Sequence, residues 1–324
     1  MNGVETARVR IAGGGLPEGR PPGSVIDSMP FVRRLLAAFL LAVSLSGGAV
    51  AFAATPLVLA LKPDKNPDAL LEEKRALEQF LGERLQRPVK VLIPLSAAVI
   101  LEGFANGTID LGYLSATDLA RARKLGHARL LLAGEFANGQ TSYRSYWLTL
   151  RDRPYTSVEQ LRGKPVAFAS KTSTSGFVVP LWDLRQRGLV SERGNPEEFF
   201  GAGNVFFGVG YVSAVERVFA GEAEAAAVSD YVFEQDKHLS AAQRARLKVV
   251  QSQGPVPSHV IAVRATLPAA ERDAVRAALL AFNESAHTAL RDRLFTTKLV
   301  VTTEEAHLAA LNDALALAER ALTR

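Results

Sequence analysis

The chain beyond residue 55 alternates between short apolar runs and longer segments in which apolar residues recur every three to four positions. The short runs predict β-strands, and the longer segments predict amphipathic helices. A repeated strand–helix order favours a sheet of mainly parallel strands with helices on both faces. The first three predicted strands span residues 56–61, 88–94 and 109–114.

The alternation is interrupted at residues 128–150, where two long strands flank a short polar loop. We interpret this segment as a crossing between two lobes, because the strand–helix alternation then resumes. We therefore predict an α/β fold of two lobes, each a mainly parallel sheet flanked by helices, joined by two hinge crossings. The predicted boundaries are 55–145 plus 255–324 for the first lobe, 146–254 for the second, and 140–147 and 253–258 for the hinges.

The N-terminal residues 1–53 form a leader in this interpretation. From Met29 the sequence has a basic pair, an apolar stretch at 35–45 and a small-x-small sequence at 51–53. This order is typical of a secretory signal peptide that is removed from the mature protein. The true start is expected at Met29, and an uncleaved anchor is the alternative.

The amino-acid composition argues against several kinds of site and partner. The 324 residues include no Cys, which excludes disulfides, thiolate chemistry and a lipid anchor on an N-terminal Cys. The mature protein is therefore expected to be free in the periplasm. The net charge is +5, and the leader contributes five Arg against three acidic residues, so the remainder carries only +3. Without a dense basic patch, nucleic acid is not an expected partner.

A hydroxyl-rich turn follows the strand predicted at 164–170. Its hydroxyl residues are Ser170, Thr172, Ser173, Thr174 and Ser175, and Gly176 comes next. Ligands of open α/β sheets bind at the carboxyl ends of strands, where helix N-termini offer free N–H groups to anions. The turn therefore predicts a small-oxyanion site. The alternative is a plain helix cap, for which one hydroxyl is enough.

Five segments together resemble a known family. They are "IDLGYLSATDLARA" (109–122), "SYRSYWLTLRD" (142–152), "LRGKPVAFAS" (161–170), "STSGFVVP" (173–180) and "AVERVFAGEAEAAAVSDY" (214–231). The chain resembles the phosphonate, phosphite and phosphate substrate-binding proteins of ABC importers over about residues 56–265. This resemblance implies a type II periplasmic binding protein fold, which is transferrin-like. It also implies that Ser173, Thr174 and Ser175 hold the phosphoryl oxygens.

The chain departs from the family at positions that line the family's ligand pocket. Ala98 and Leu119 stand where a Tyr is common, and Tyr211-Val212 stands where a His and an acid are common. The resemblance therefore implies a less charged pocket, which argues against an aminoalkylphosphonate. Phosphite, phosphate, an alkylphosphonate and a changed ligand class remain open.

Other polar and aromatic residues stand at predicted strand ends and helix starts. The further candidates for ligand contact are Tyr113, Ser115, Thr117, Tyr211, Asp230 and His259. The phenol of Tyr113 is either a ligand donor or a rim aromatic. Capping alone explains Ser115 equally well. Asp230 either accepts a proton from a protonated ligand or caps a helix.

These observations favour a binding protein rather than an enzyme. The expected role is the solute-binding component of an ABC importer, a monomer that takes no cofactor and docks on an inner-membrane permease. None of the five His stands at metal-ligand spacing with another His. One alternative is a sensing protein that docks on a membrane receptor. Another is an enzyme on the same scaffold, which the lack of Cys disfavours.

Overall fold

The computed structural model describes residues 55–62, 71–235, 238–295 and 298–323. The predicted leader, with its signal peptide and the start at Met29, lies outside these ranges. Within them, no helix combines the length and the apolar character needed to cross a membrane.

The described residues form two β-sheets. The strands are β1 (Leu57–Ala60), β2 (Val89–Leu92), β3 (Leu111–Leu114), β4 (Ala128–Glu135), β5 (Ser142–Leu150), β6 (Val166–Phe168), β7 (Val205–Phe207), β8 (Ala225–Ser229), β9 (Leu247–Pro257), β10 (Val260–Arg264) and β11 (Lys298–Val300). The first sheet has the order β11-β4-β10-β3-β1-β2, and the second has the order β7-β6-β8-β5-β9. Each sheet is the centre of one lobe.

Helices connect the strands and cover the sheets. They are α1 (Leu71–Leu85), α2 (Ala97–Asn106), α3 (Ala116–Lys124), α4 (Val179–Gln186), α5 (Glu197–Phe200), α6 (Tyr211–Phe219), α7 (Asp230–Glu234), α8 (Ala241–Ala245), α9 (Ala269–Ala281), α10 (Thr288–Leu294), α11 (Glu304–Leu308) and α12 (Asn312–Leu322). A π-helical segment, Thr174–Val178, precedes α4, and short 3₁₀ helices lie at Val158–Leu161, Ser285–His287 and Ala309–Leu311. The expected two-lobe α/β fold is confirmed.

Both sheets are mixed rather than mainly parallel. Strands β2, β1 and β3 run parallel, as do β7, β6 and β8, because crossover helices link them. Strands β10, β4 and β11 pair antiparallel in the first sheet, and β5 and β9 do so in the second. The antiparallel strands are those that enter or leave the two crossings, together with the edge strand β11.

The chain crosses between the sheets after β4 and after β9. The two crossing segments lie side by side, because the Ser258 N–H donates to the Thr141 carbonyl at 2.9 Å. The Ser258 hydroxyl also donates to the Gly134 carbonyl at 2.6 Å. Most of the two hinge segments expected from the sequence is taken up by β5 and β9, which pair with each other. The connections that remain between the sheets are therefore short.

Each lobe has its own apolar core. Leu59, Leu81 and Phe282 are buried in the first. In the second, the Trp147 ring centroid lies 5.3 Å from that of Phe168 and 5.5 Å from that of Phe200. Helix α12 packs on the second core through a buried stripe of Ala314, Leu317 and Ala318. The sequence-based boundaries placed this helix in the first lobe. An apolar stripe alone does not reveal which core a helix covers.

Candidate ligand-binding site

A cleft of about 500 Å³ lies between elements of the two lobes. Its walls come from the carboxyl-end loops of β1, β2 and β3 on one side and of β6 and β7 on the other. The lining residues are Lys62, Leu95, Ser96, Ala97, Ser115, Asp118, Ala169, Ser170, Thr172, Ser173, Val209, Gly210 and Tyr211. The location agrees with the general rule for ligands of open α/β sheets.

Lys62 brings a positive charge into this cleft. It lies two residues after the end of β1, at the sheet edge where the other loops converge. Its ammonium donates to Nε2 of His259 at 2.8 Å and lies 5.5 Å from the ring centroid of Tyr211. The hydrogen bond requires His259 to be neutral and to carry its proton on Nδ1. An ammonium held in this way is suited to an oxyanion in the cleft.

The start of α3 forms the floor on the first-lobe side. Ser115 caps the helix, because its hydroxyl accepts from the Asp118 N–H at 3.1 Å and donates to the Asp118 carboxyl at 2.7 Å. Burial raises the pKa of Asp118, while the Ser115 hydrogen bond, the charge of Lys62 and a hydrogen bond with Thr172 offset part of the rise. Asp118 therefore lies between the cation of its own lobe and the hydroxyl turn of the other.

The hydroxyl turn forms the second-lobe wall. Ser170, Thr172 and Ser173 line the cleft directly. The Ser173 hydroxyl also caps the π-helical segment by accepting from the Gly176 N–H at 3.0 Å. A Cβ on Gly176 would lie 2.4 Å from that of Ala169, so only glycine lets the turn fold back against the end of β6. The hydroxyl turn therefore lies at the end of a strand, as the sequence predicted.

Thr174 lies one residue beyond the cleft wall. It is 2% exposed, and its Oγ1 accepts from the Thr117 N–H at 3.1 Å and lies 3.0 Å from the Thr117 hydroxyl. Thr117 belongs to α3 of the first lobe, so this contact joins the starts of two helices across the lobes. In this conformation Thr174 contacts protein groups and does not line the cleft.

Ser175 is fully buried in a hydroxyl network. Its Oγ lies 2.8 Å from the Tyr211 hydroxyl and accepts from the Tyr143 hydroxyl at 3.2 Å. Its carbonyl accepts from the Ser145 hydroxyl at 2.6 Å. Burial and the neighbouring Tyr211 raise the pKa of Tyr143 well above its ordinary value, so the Tyr143 phenol is uncharged at neutral pH. Tyr211 therefore lines the cleft while its hydroxyl is bonded to the buried Ser175.

Tyr113 and Asp230, which were also singled out from the sequence, do not line the cleft either. Tyr113 is 5% exposed, and its hydroxyl donates to the Phe295 carbonyl at 2.7 Å. Asp230 lines a separate cavity of about 340 Å³ with Arg144. Its carboxylate accepts from the Arg144 N–H at 2.8 Å and from the Tyr231 N–H at 2.7 Å. Burial raises the pKa of Asp230 to about 6.

Lys62 and Asp118 are the charged residues of the described cleft lining, and neither was singled out from the sequence. The signal for Lys62 was its place directly after the first parallel strand, the position that commonly faces a ligand. The signal for Asp118 was a carboxyl in the first turn of α3, which is also an ordinary capping position. Among the described residues, no cluster of three or more His, Cys, Asp or Glu is arranged to hold a metal ion.

The arrangement as a whole offers hydrogen-bond donors. An ammonium, several hydroxyls and two helix starts face one cavity, and these groups stabilise negative charge. Asp118 is the carboxyl among the described lining residues, and burial raises its pKa.

Solved structures of similar fold include binding proteins. A structure described as XAC2383 from Xanthomonas citri bound to chloride ion is 22% identical, with a TM-score of 0.68, over 82% of this chain and 98% of that chain. A binding protein component of an ABC phosphonate transporter, PA3383 from Pseudomonas aeruginosa, is 15% identical, with a TM-score of 0.70, over 82% and 87%. PhnD1 from Prochlorococcus marinus, in complex with methylphosphonate, is 15% identical, with a TM-score of 0.68, over 82% and 97%.

Residues 59–307 match a family model described as ABC transporter, phosphonate, periplasmic substrate-binding protein. Apart from the first two residues of β1, this range contains both sheets, and it contains every residue named in the lining of the cleft. The match confirms the resemblance drawn from the five sequence segments. The chain therefore belongs to the phosphonate-type family of periplasmic substrate-binding proteins of ABC transporters.

Proposed function

We propose that this chain binds a small phosphorus oxyanion, a phosphonate, phosphite or phosphate, in the cleft between its lobes and delivers it to an inner-membrane permease. The observation that carries the proposal is the joint presence of Lys62 and the hydroxyls of Ser170, Thr172 and Ser173 in one cavity. The protein acts as a secreted, monomeric periplasmic carrier without catalysis or a cofactor, and it has no nucleic-acid partner.

The donors are sufficient for useful affinity. A hydrogen bond to a charged group contributes about 1.5–3 kcal/mol net. Four or five such bonds, from the ammonium and the hydroxyl turn, together contribute on the order of the ~8 kcal/mol that micromolar binding requires. We assign direct contact to Ser173, Ser115 and Tyr211, which line the cleft. Thr174 and Ser175 reach the oxyanion only if their present contacts rearrange.

The carboxyl of Asp118 favours one protonation state of the ligand over the others. Asp118 shares the cavity with Lys62, and burial raises its pKa. A phosphonate monoanion carries one P–OH group, which can donate to this carboxyl, while its charged oxygens face the ammonium. From the sequence, Asp230 was a candidate for this proton-accepting role, with a helix cap as the alternative. We now assign it to Asp118, because Asp230 lines the other cavity.

Calorimetry tests the proposal. The chain is expressed with its leader, purified from the periplasm, and stripped of ligand by partial unfolding and refolding. Phosphite, methylphosphonate, phosphate, aminoethylphosphonate and sulfate are then titrated separately. We expect micromolar or tighter binding of at least one phosphorus anion and much weaker binding of sulfate, which has no proton to give Asp118 near neutral pH. Absence of binding by all four phosphorus anions would refute the proposal.

A further inference from the structure

Two nearly fully exposed apolar side chains stand at the entrance of the cleft. Leu95 is 98% exposed and Val209 is 96% exposed, and both line the cavity that holds Lys62. They are the two most exposed large apolar side chains of the described residues. A single exposed Leu needs no explanation, but such a pair at one cavity does.

The two side chains come from opposite lobes. Leu95 lies in the loop between β2 and α2 of the first lobe, and Val209 lies in the loop between β7 and α6 of the second. Their neighbours in the lining, Ser96, Ala97 and Gly210, are uncharged. Among the described lining residues, the entrance is therefore apolar on both sides, while the charged groups, Lys62 and Asp118, are more deeply buried.

The size of the cleft favours an organic ligand over a small inorganic oxyanion. Its volume of about 500 Å³ lies in the ~300–1,000 Å³ range of pockets that hold organic ligands. A water molecule occupies roughly 30 Å³ in the liquid, and an inorganic oxyanion is only a few times larger. Phosphate or phosphite would therefore leave most of the cleft, including the entrance, to water.

We propose that the physiological ligand is a phosphonate with an apolar alkyl or aryl substituent, which lies between Leu95 and Val209. This inference rests on the proposed function, since the phosphoryl head occupies the donors deeper in the cleft. A ligand with a charged amine on its tail would place that amine among uncharged groups at the entrance. The two apolar residues thus select for the tail, and the donors select for the head.

The test compares ligands that share a head and differ in the tail. Methyl-, n-butyl- and phenylphosphonate are titrated calorimetrically into the wild-type protein and into the double variant Leu95→Ser/Val209→Ser. The matched control is Leu125→Ser/Val301→Ser, which changes a Leu and a Val that are 60% and 64% exposed and do not line the cleft. Because all four side chains face solvent, each variant is expected to fold normally.

Each buried methylene strengthens binding roughly fourfold. We expect butylphosphonate to bind at least about tenfold more tightly than methylphosphonate to the wild type and to the control. The cleft variant should lose about that factor for butyl- and phenylphosphonate, with methylphosphonate changed less than about twofold.

Three results would overturn the inference. If methyl- and butylphosphonate bind equally well, or if the cleft variant keeps the tail preference, the apolar pair does not contact the ligand, while the proposed function stands. If none of the three phosphonates binds to the wild type, both the inference and the phosphonate form of the proposed function fail.

Discussion

The hydroxyls of Thr117 and Thr174 lie 3.0 Å apart and join the first turn of α3 in the first lobe to the π-helical segment of the second. Both side chains are buried, with exposed fractions of 4% and 2%. The same Thr174 oxygen accepts from the Thr117 N–H at 3.1 Å. The two lobes are thus in direct polar contact beside the cleft, and opening the cleft has to break this contact.

Thr174→Val tests the contact with little change of shape. Valine leaves the buried Thr117 N–H without its acceptor, which costs about 1–3 kcal/mol in the closed form. We expect the affinity for the phosphorus anion to fall about tenfold or more, measured by calorimetry. The control is Thr156→Val at an exposed position, which should bind as the wild type does. Equal affinity of both variants would show that the contact has no part in closure or binding.

Lys62→Met tests the cation in the cleft. Methionine keeps most of the length of the side chain but removes a charged donor worth about 1.5–3 kcal/mol, so the anion should bind roughly 10- to 100-fold more weakly. Lys171→Met is the matched control, because Lys171 belongs to the hydroxyl turn but is exposed and does not line the cleft. An equal loss in both variants would indicate a general charge effect rather than a contact with Lys62.

Gly176→Ala tests why the turn carries a glycine. The added Cβ would lie 2.4 Å from the Ala169 Cβ, so the turn or the strand end must shift. We expect urea unfolding to show a loss of about 1–3 kcal/mol in the free energy of unfolding. Gly210→Ala serves as the control, because its Cβ would meet nothing within 4 Å and its backbone is extended. A Gly176 variant as stable as the Gly210 variant would contradict the close packing described for the turn.

The carboxyl of Asp230 makes the free energy of unfolding depend on pH in a direction that can be predicted. Burial raises its pKa to about 6, while in the unfolded chain an Asp titrates near 3.9. Between about pH 4 and pH 6 the folded state therefore holds a proton that the unfolded state has released. The contribution of Asp230 to the free energy of unfolding therefore falls as the pH rises from about 4 to 6.

The variant Asp230→Asn cannot titrate and should lack this slope. From pH 4 to pH 7, the free energy of unfolding of the wild type, measured with urea, should fall by about 1 kcal/mol more than that of the variant. This value is smaller than the full pKa shift would give, because the carboxyl is partly exposed to solvent. Parallel stability profiles would show that the pKa of Asp230 is not raised in the folded state.

The local features of the site could be predicted from the sequence. The hydroxyl turn follows β6, and Ser115 caps α3, because strand ends and helix caps are encoded within a few residues. The alternation of apolar runs and helical segments likewise predicted two α/β lobes. What it did not reveal is that the strands beside the crossings run antiparallel, since direction depends on where the chain re-enters each sheet.

The long-range features could not be predicted in this way. Tyr113 ends β3 as expected, but its hydroxyl bonds to a carbonyl 182 positions later in the chain, inside the first lobe. Lys62 is fixed by His259, 197 positions away. Neither partner is indicated by spacing or periodicity, so the direction of the phenol and the place of the ammonium follow only from the packed fold.

A crystal structure of the protein with methylphosphonate would test the central claim most directly. We predict the phosphoryl group in the cleft, with its oxygens within hydrogen-bond distance of the Lys62 ammonium and the Ser173 hydroxyl, and its methyl group directed toward Leu95 and Val209. Methylphosphonate bound in the cavity of Asp230 and Arg144, with the cleft holding only water, would contradict the account.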